Sequence, residues 1–168
     1  MILGRESLAE RIATQSIAEG LRDPAHQLQP ASIDLTLDKA FEFSGEGALD
    51  YDNSERVISE VKELLFEGEW VKLGKGAYKV RFAEEVRIPS DLAAITFARS
   101  SLARCGCDLY NGWWDPGYHG KGEGLLVVHN PRGVRLKKGA KIAQLVFASL
   151  DKESKHLYEG MHKGENLE

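Results

Sequence analysis

Glycine and proline recur at short intervals along this chain: Pro89, Gly106, Gly112, Pro116, Gly120, Pro131 and Gly139 punctuate its second half alone. Each turns or ends a segment, so any regular structure between them is short. What lies between them alternates. Residues 78–82, Tyr-Lys-Val-Arg-Phe, put apolar and polar side chains on opposite faces. Residues 93–98 read as a buried strand, and residues 125–128, 133–136 and 142–150 continue the series. Many short strands separated by turn signals predict a β-sandwich or barrel. Strand and helix do not alternate, which argues against a doubly wound parallel sheet, and no internal repeat is visible.

The first half fits the same architecture with one helix in front. Residues 5–19 carry Leu8, Ile12 and Ile17 among polar neighbours and predict a short amphipathic helix, with Gly20 as its stop. Pro24 and Pro30 bracket an irregular stretch. Residues 32–37 alternate as a strand and residues 41–43 read as another. Residues 44–56, with their glycines, Asp50, Asp52 and Asn53, read as a loop or hairpin excursion; residues 57–66 fit a strand or a short helix. After Leu150 the chain turns polar. The expected division is one β domain over residues 1–150 and a tail over residues 151–168, either a frayed end or a lid that orders over a ligand.

The 168 residues are enough for one domain with a real core. A net charge of −4 argues against a general nucleic-acid coat, which needs a basic surface, and still leaves room for a local arginine cluster. No run of about 18 apolar residues offers a membrane span. Arg5 and Glu6 come at once, with no apolar signal core, so a cytoplasmic protein is expected. Cys105 and Cys107 stand too close together for an easy disulfide and supply too few ligands for a structural zinc, so they read as two reduced thiols.

Two segments carry candidate chemistry. In Arg99-Ser100-Ser101-Leu102-Ala103-Arg104, two guanidinium groups offer planar forks of donors suited to phosphate oxygens, and two hydroxyls add further donors. The bland alternative is a basic surface turn. In Gly112-Trp113-Trp114-Asp115-Pro116-Gly117-Tyr118, Asp115 stands before a turn dipeptide, where an aspartate often serves only as a cap. Held at a strand end, it is also placed to take a proton from water attacking a phosphorus. Tyr118 is placed to pack against a sugar or base, whereas Trp113 and Trp114 read as core or interface residues. Gln144 shares a strand face with Ile142 and Val146 and needs a polar partner, either backbone or phosphate. His119, His129 and His162 form no metal-ligand pattern. Residues 120–124 lack the spacing and ending of a Walker loop, and no zinc-deaminase signature is present.

Taken together these residues resemble the dUTPase and dCTP deaminase superfamily, in particular its small archaeal-type members on the deaminase branch. The opening Met1-Ile2-Leu3, residues 29–35 (Gln-Pro-Ala-Ser-Ile-Asp-Leu), 99–104, 112–118, 139–147 and 158–164 are similar to that family's motifs, in its order. The resemblance implies a mainly β fold, a distorted barrel or jelly-roll with a short N-terminal helix. It also implies a homotrimer with sites between subunits, and Mg²⁺ held mainly by the triphosphate rather than by protein ligands. Arg99, Ser100, Ser101 and Arg104 would lie at the phosphates, with Gln144 facing them. Asp115 would contact the 3′-hydroxyl and position water, and Tyr118 would pack on the deoxyribose and disfavour a 2′-hydroxyl. The hairpin after Glu123, including Leu126 and Val127, would read the pyrimidine through backbone groups. Tyr158 and Lys163 would act from the closing tail.

One position separates the reactions of this branch. Deaminases carry a glutamate three residues before an asparagine; anchoring on Asn130 places Val127 there. Valine transfers no proton, so the reading is a dUTP diphosphatase, a hydrolase yielding dUMP and pyrophosphate, with a deoxynucleoside triphosphate as partner and neither nucleic acid nor membrane. The alternatives are a dCTP deaminase, mono- or bifunctional, with another proton carrier, and a non-catalytic nucleotide-binding module on the same fold.

Overall fold

The computed structural model describes residues 1–167. In chain order the elements are α1 (Arg5–Gln15), β1 (Ala18–Glu19), α2 (Pro24–Gln27), β2 (Ile33–Phe43), β3 (Val61–Glu63), β4 (Trp70–Leu73), β5 (Gly76–Phe82), β6 (Glu85–Arg87), β7 (Leu92–Ala98), α3 (Ser100–Arg104), β8 (Cys107–Tyr110), β9 (His119–Gly120), β10 (Glu123–Val128), β11 (Val134–Lys137) and β12 (Lys141–Ser149). The fold is mainly β with a short N-terminal helix, as the punctuation requires. Every strand pairing is antiparallel.

One seven-stranded sheet organises the molecule. Its path runs β7-β12-β2-β5-β10-β8, with β3 added to β2, and the end strands β7 and β8 lie against each other, so the sheet curls toward a barrel. The long strand β2 makes this possible. Its first half pairs with β12 and its second half with β5, and the register shifts between Leu37 and Lys39 where it changes partner. A three-stranded sheet, β1-β6-β9, and a two-stranded ribbon, β4-β11, complete the layers.

The core lies inside this curl. Ile33, Leu35, Leu37, Phe82, Leu126, Leu145 and Phe147 are fully buried. Each contributes roughly 1.5–3 kcal/mol by leaving water. Asp34 and Thr36 alternate with them on β2 and are buried too, because α2 and the turn before β6 cover the strand's other face. There Glu84 accepts the Thr36 N–H (2.8 Å), the Thr36 hydroxyl (2.7 Å) and the Gln27 amide (2.7 Å), which satisfies a carboxyl that burial pushes up in pKa.

Three local readings differ from the sequence expectation. The helix α1 ends at Ser16, in the left-handed region with φ 52°, rather than at Gly20. Ile17 and Ala18 are drawn into the core and Ala18 pairs with Val86, so the chain must leave the helix earlier. Residues 41–43 are the end of β2 rather than a strand of their own. Strand β7 is not buried on both faces: Ile95 and Phe97 are exposed while their neighbours are inside. The excursion over residues 44–56 is a hairpin closed by the Ala48–Val57 bridge, and residues 57–66 hold a short strand instead of a helix. Cys105 and Cys107 are free, the first exposed and the second buried. No helix is long and apolar enough to cross a membrane among the described residues.

Candidate active site

The arginine-serine segment begins where β7 runs out. Arg99 keeps extended backbone and donates its N–H to the Ile142 carbonyl at 3.0 Å, which ties the end of β7 to β12. Residues 100–104 then make one helical turn anchored by the buried Leu102, leaving Ser100, Ser101 and Arg104 exposed. The Arg99 side chain turns back to Asp34, with Nε 3.3 Å from Oδ1, and Lys141 Nζ stands 3.4 Å from Oδ2. Asp34 is fully buried, and neither oxygen receives a well-aligned hydrogen bond. Burial raises its carboxyl pKa; Arg99 and Lys141 pull it back only in part. Gln144 stands opposite Asp34 on one side and Phe97 on the other, and its amide donates to the Ser32 hydroxyl at 3.3 Å.

The aspartate segment is built on a different edge. Trp114 is buried, exchanges backbone hydrogen bonds with Ala94 on β7 and donates its indole N–H to the Thr96 hydroxyl at 2.7 Å. That fixes the next residue, Asp115, at the surface. The turn after it closes through Tyr118 N–H to the Asp115 carbonyl at 3.1 Å, with Gly117 at φ +90°, a conformation side chains resist. Tyr118 is carried inward to 7% exposure, its ring edge-on to Trp114 with centroids 5.1 Å apart. Burial, then the nearby Glu165 carboxylate, push its hydroxyl pKa far up, so it stays a donor.

A cavity of about 260 Å³ opens here, walled by Asn111, Trp113, Asp115, Tyr118, Glu123 and Tyr158, among others. It falls just under the ~300 Å³ lower end of small-molecule pockets, a size for part of a nucleotide rather than the whole. The tail closes one side of it. Tyr158 donates its N–H to the Pro116 carbonyl at 2.7 Å, Gly164 to His119 at 2.7 Å, and Lys121 donates to the Glu165 carbonyl at 3.0 Å. The tail is therefore ordered, and it lies over its own chain.

The predicted site residues fall into two groups. Asp115, Tyr118 and Tyr158 share the cavity; Arg99, Ser100, Ser101, Arg104 and Gln144 do not line it. Arg99 is five residues along from Ala94, the strand partner of Trp114, a separation of roughly 16 Å on an extended strand. Leu126 is fully buried and Val127 half-buried on β10, which is flanked by β5 and β8 at both positions. At this hairpin the cavity is bordered by Gly122 and Glu123 instead, and Asn111 donates to the Glu123 carbonyl at 2.7 Å. Lys163 pairs with Glu159 at 2.6 Å on the exposed side of the tail.

Sequence reasoning assigned no role to four charged residues that these two groups contain. Asp34 and Lys141 lie within the quoted motifs, and the signal was an acidic residue at a strand position that becomes covered. Glu123, paired with Lys79 at 2.7 Å, and Glu165 enter the cavity only through tertiary contacts and left no local signal. Among the described residues no group of three or more His, Cys, Asp or Glu side chains is arranged to hold a metal ion.

A family model described as dCTP deaminase-like matches residues 2–150. A protein of Methanosarcina acetivorans named probable deoxyuridine 5′-triphosphate nucleotidohydrolase is 47% identical over 155 residues, covering 92% of this chain and 91% of its own. A protein of the same name from Archaeoglobus fulgidus is 38% identical over 167 residues, covering 99% of this chain and 98% of its own. The crystal structure of 2′-deoxycytidine 5′-triphosphate deaminase from Agrobacterium tumefaciens shares the fold, with a TM-score of 0.63 over 87% of this chain and 47% of that one at 23% identity.

Proposed function

Because the chain belongs to the dCTP deaminase-like family, we propose that it is a dUTP diphosphatase, hydrolysing dUTP to dUMP and pyrophosphate. The observation that carries this reading is the cavity that joins an exposed carboxylate, Asp115, to a buried aromatic wall, Tyr118. The names of relatives matched along nearly the whole chain agree with it. In this reading the nucleoside enters the cavity, the sugar packs on Tyr118, and Asp115 aligns water for attack on the α-phosphorus. The triphosphate extends beyond the cavity to cationic and hydroxyl donors, Arg99, Ser100, Ser101 and Arg104, with Gln144 beside them. In this reading an Mg²⁺ is carried by the triphosphate itself. Bound that way, it supplies neutralisation of phosphate charge.

The separation of the two groups on one chain supports an assembly in which each site draws Asp115 from one copy and Arg99 from another. Ile95 and Phe97 are exposed beside Gln144, an apolar face suited to a second copy of the chain, and a homotrimer is the assembly we infer. The tail over Asp115 and Tyr118 serves as the lid, with Tyr158 tilted against Tyr118 (centroids 6.1 Å apart). Deamination of dCTP has one point in its favour: Glu123, a carboxylate, borders the cavity. It is engaged by Lys79, and the position on β10 that a deaminase would use is Val127. A panel of nucleoside triphosphates with Mg²⁺, scored separately for pyrophosphate and ammonia, decides between the reactions. Pyrophosphate from dUTP without ammonia from dCTP is expected. Sustained ammonia release would overturn the Val127 argument, and nucleotide binding without either product would make the chain a binding module.

A further inference from the structure

Among the described residues, Glu165 is the one acidic side chain of the tail that reaches the cavity wall, and its contacts are specific. Its Oε1 accepts the Tyr118 hydroxyl at 2.9 Å, and its Oε2 lies 3.0 Å from His162 Nδ1. Its backbone is held as well: the Glu165 carbonyl accepts from Lys121 at 3.0 Å, and the preceding Gly164 donates to His119 at 2.7 Å. Two of the residues that hold it, His119 and Lys121, thus follow closely on Tyr118 in the chain. Gly120 makes the approach possible. A Cβ there would stand 2.9 Å from the Glu165 carbonyl oxygen and 3.0 Å from the Tyr118 hydroxyl, closer than packed atoms tolerate. At Gly117 a Cβ would meet Leu157 at 2.7 Å. The turn that carries Tyr118 and the tail that carries Glu165 therefore dock through two bare backbone positions.

Tyr118 has Trp114 at its edge and Tyr158 tilted behind it, contacts that fix its place but leave its tip to be set by the hydroxyl. That hydroxyl is desolvated and remains protonated, so it needs an acceptor, and Glu165 is the acceptor present. We propose that Glu165 is a positioning residue: by accepting the Tyr118 hydroxyl it holds the aromatic wall at the depth that admits a 2′-deoxyribose and excludes a 2′-hydroxyl. The inference rests on the sugar-side reading of Tyr118 given above. A wall held by a charge-assisted hydrogen bond yields less to one extra oxygen than a wall free to rock.

The test is the ratio of kcat/KM for dUTP to that for UTP, read by pyrophosphate release. Glu165→Ala is expected to lower this ratio about tenfold or more. Glu165→Gln keeps an acceptor oxygen and is expected to restore most of it. Tyr118→Phe is expected to lower the ratio as Glu165→Ala does, and combining the two is expected to add little. Loss of tail docking alone would slow both nucleotides equally; an unchanged ratio in Glu165→Ala overturns the proposal, as does a Glu165→Gln no better than Glu165→Ala. Should the wild-type chain release no pyrophosphate from dUTP, the diphosphatase reading fails separately. The same ratio measured by calorimetric binding of dUMP and UMP then decides the role of Glu165, and a chain binding neither overturns both.

Discussion

The Tyr118 side and the Arg99 side of the candidate site are finished to different degrees. Around Tyr118, the hydroxyl has its acceptor, the indole of Trp114 has Thr96, and the tail supplies a wall. Around Arg99, Ser100, Ser101 and Arg104 are exposed, and Asp34 is buried between two cations with neither oxygen properly hydrogen-bonded. The contrast follows from what each side would bind. A sugar and base need a shaped, largely apolar enclosure, which a single chain can complete by itself. A triphosphate needs several mobile cationic donors, and these are costly to bury before the anion arrives. The first half can be complete in one chain; the second is complete only with ligand and, on our reading, a second copy.

The largest expected effect strikes the finished half. Asp115→Asn should lower pyrophosphate release from dUTP about 10²–10⁴-fold, the range for losing a positioned general base, while nucleotide binding measured by calorimetry persists. Arg99→Ala should cost about 10²–10³-fold in kcat by removing a donor to developing charge. The comparison breaks or holds on mixing these two variants after dissociation and reassembly. If each site joins halves from different copies, an equal mixture regains activity at about a quarter of its sites, since those sites draw the intact residue from both copies. A mixture no more active than its parents would place both halves of a working site in one chain.

How the two halves could be read from sequence also differs. Arg99, Ser100, Ser101 and Arg104 announce themselves because a guanidinium cluster in a chain of net charge −4 stands out, and Asp115 because it precedes Pro116-Gly117. The strands were legible for a similar reason: turn residues and alternation are local signals. Asp34 sat in plain alternation on β2, and only the covering of that face by α2 and the turn at Glu84 makes it a buried charge. The exposure of Ile95 and Phe97 was hidden because apolar residues on both faces of a strand read as burial on both. Glu165 was beyond reach, since its role depends on where a polar tail lands, and no periodicity specifies that.

A smaller effect tests how firmly the finished half is held. Trp114→Phe removes the indole donor to Thr96, leaves that buried hydroxyl without its partner and thins the packing against Tyr118 and Phe82. A loss of about 1–3 kcal/mol in unfolding free energy is expected, measured as a lower urea midpoint at unchanged slope. A variant as stable as the wild type would mean that the cavity wall carries little of the fold's stability and is held mainly by the tail.

The smallest effect lies on the open half and appears only as a pH dependence. Burial raises the Asp34 carboxyl above its ordinary 3.8, and the attraction of Arg99 and Lys141 offsets this only in part. The native state therefore keeps this proton at a pH where the unfolded chain has released it. The stability tied to Asp34 is full below 3.8 and is lost as pH rises through the raised folded-state value. Asp34→Asn removes that titration. Its urea-unfolding free energy should decline less than that of the wild type as pH rises above about 4. Glu84 serves as an internal control, because its carboxyl is raised as well and its three donors are untouched by the substitution, so part of the slope persists. If the slope does not change, Asp34 is already ionised as an ordinary partner of Arg99 and Lys141, and the open half is as fully compensated as the closed one.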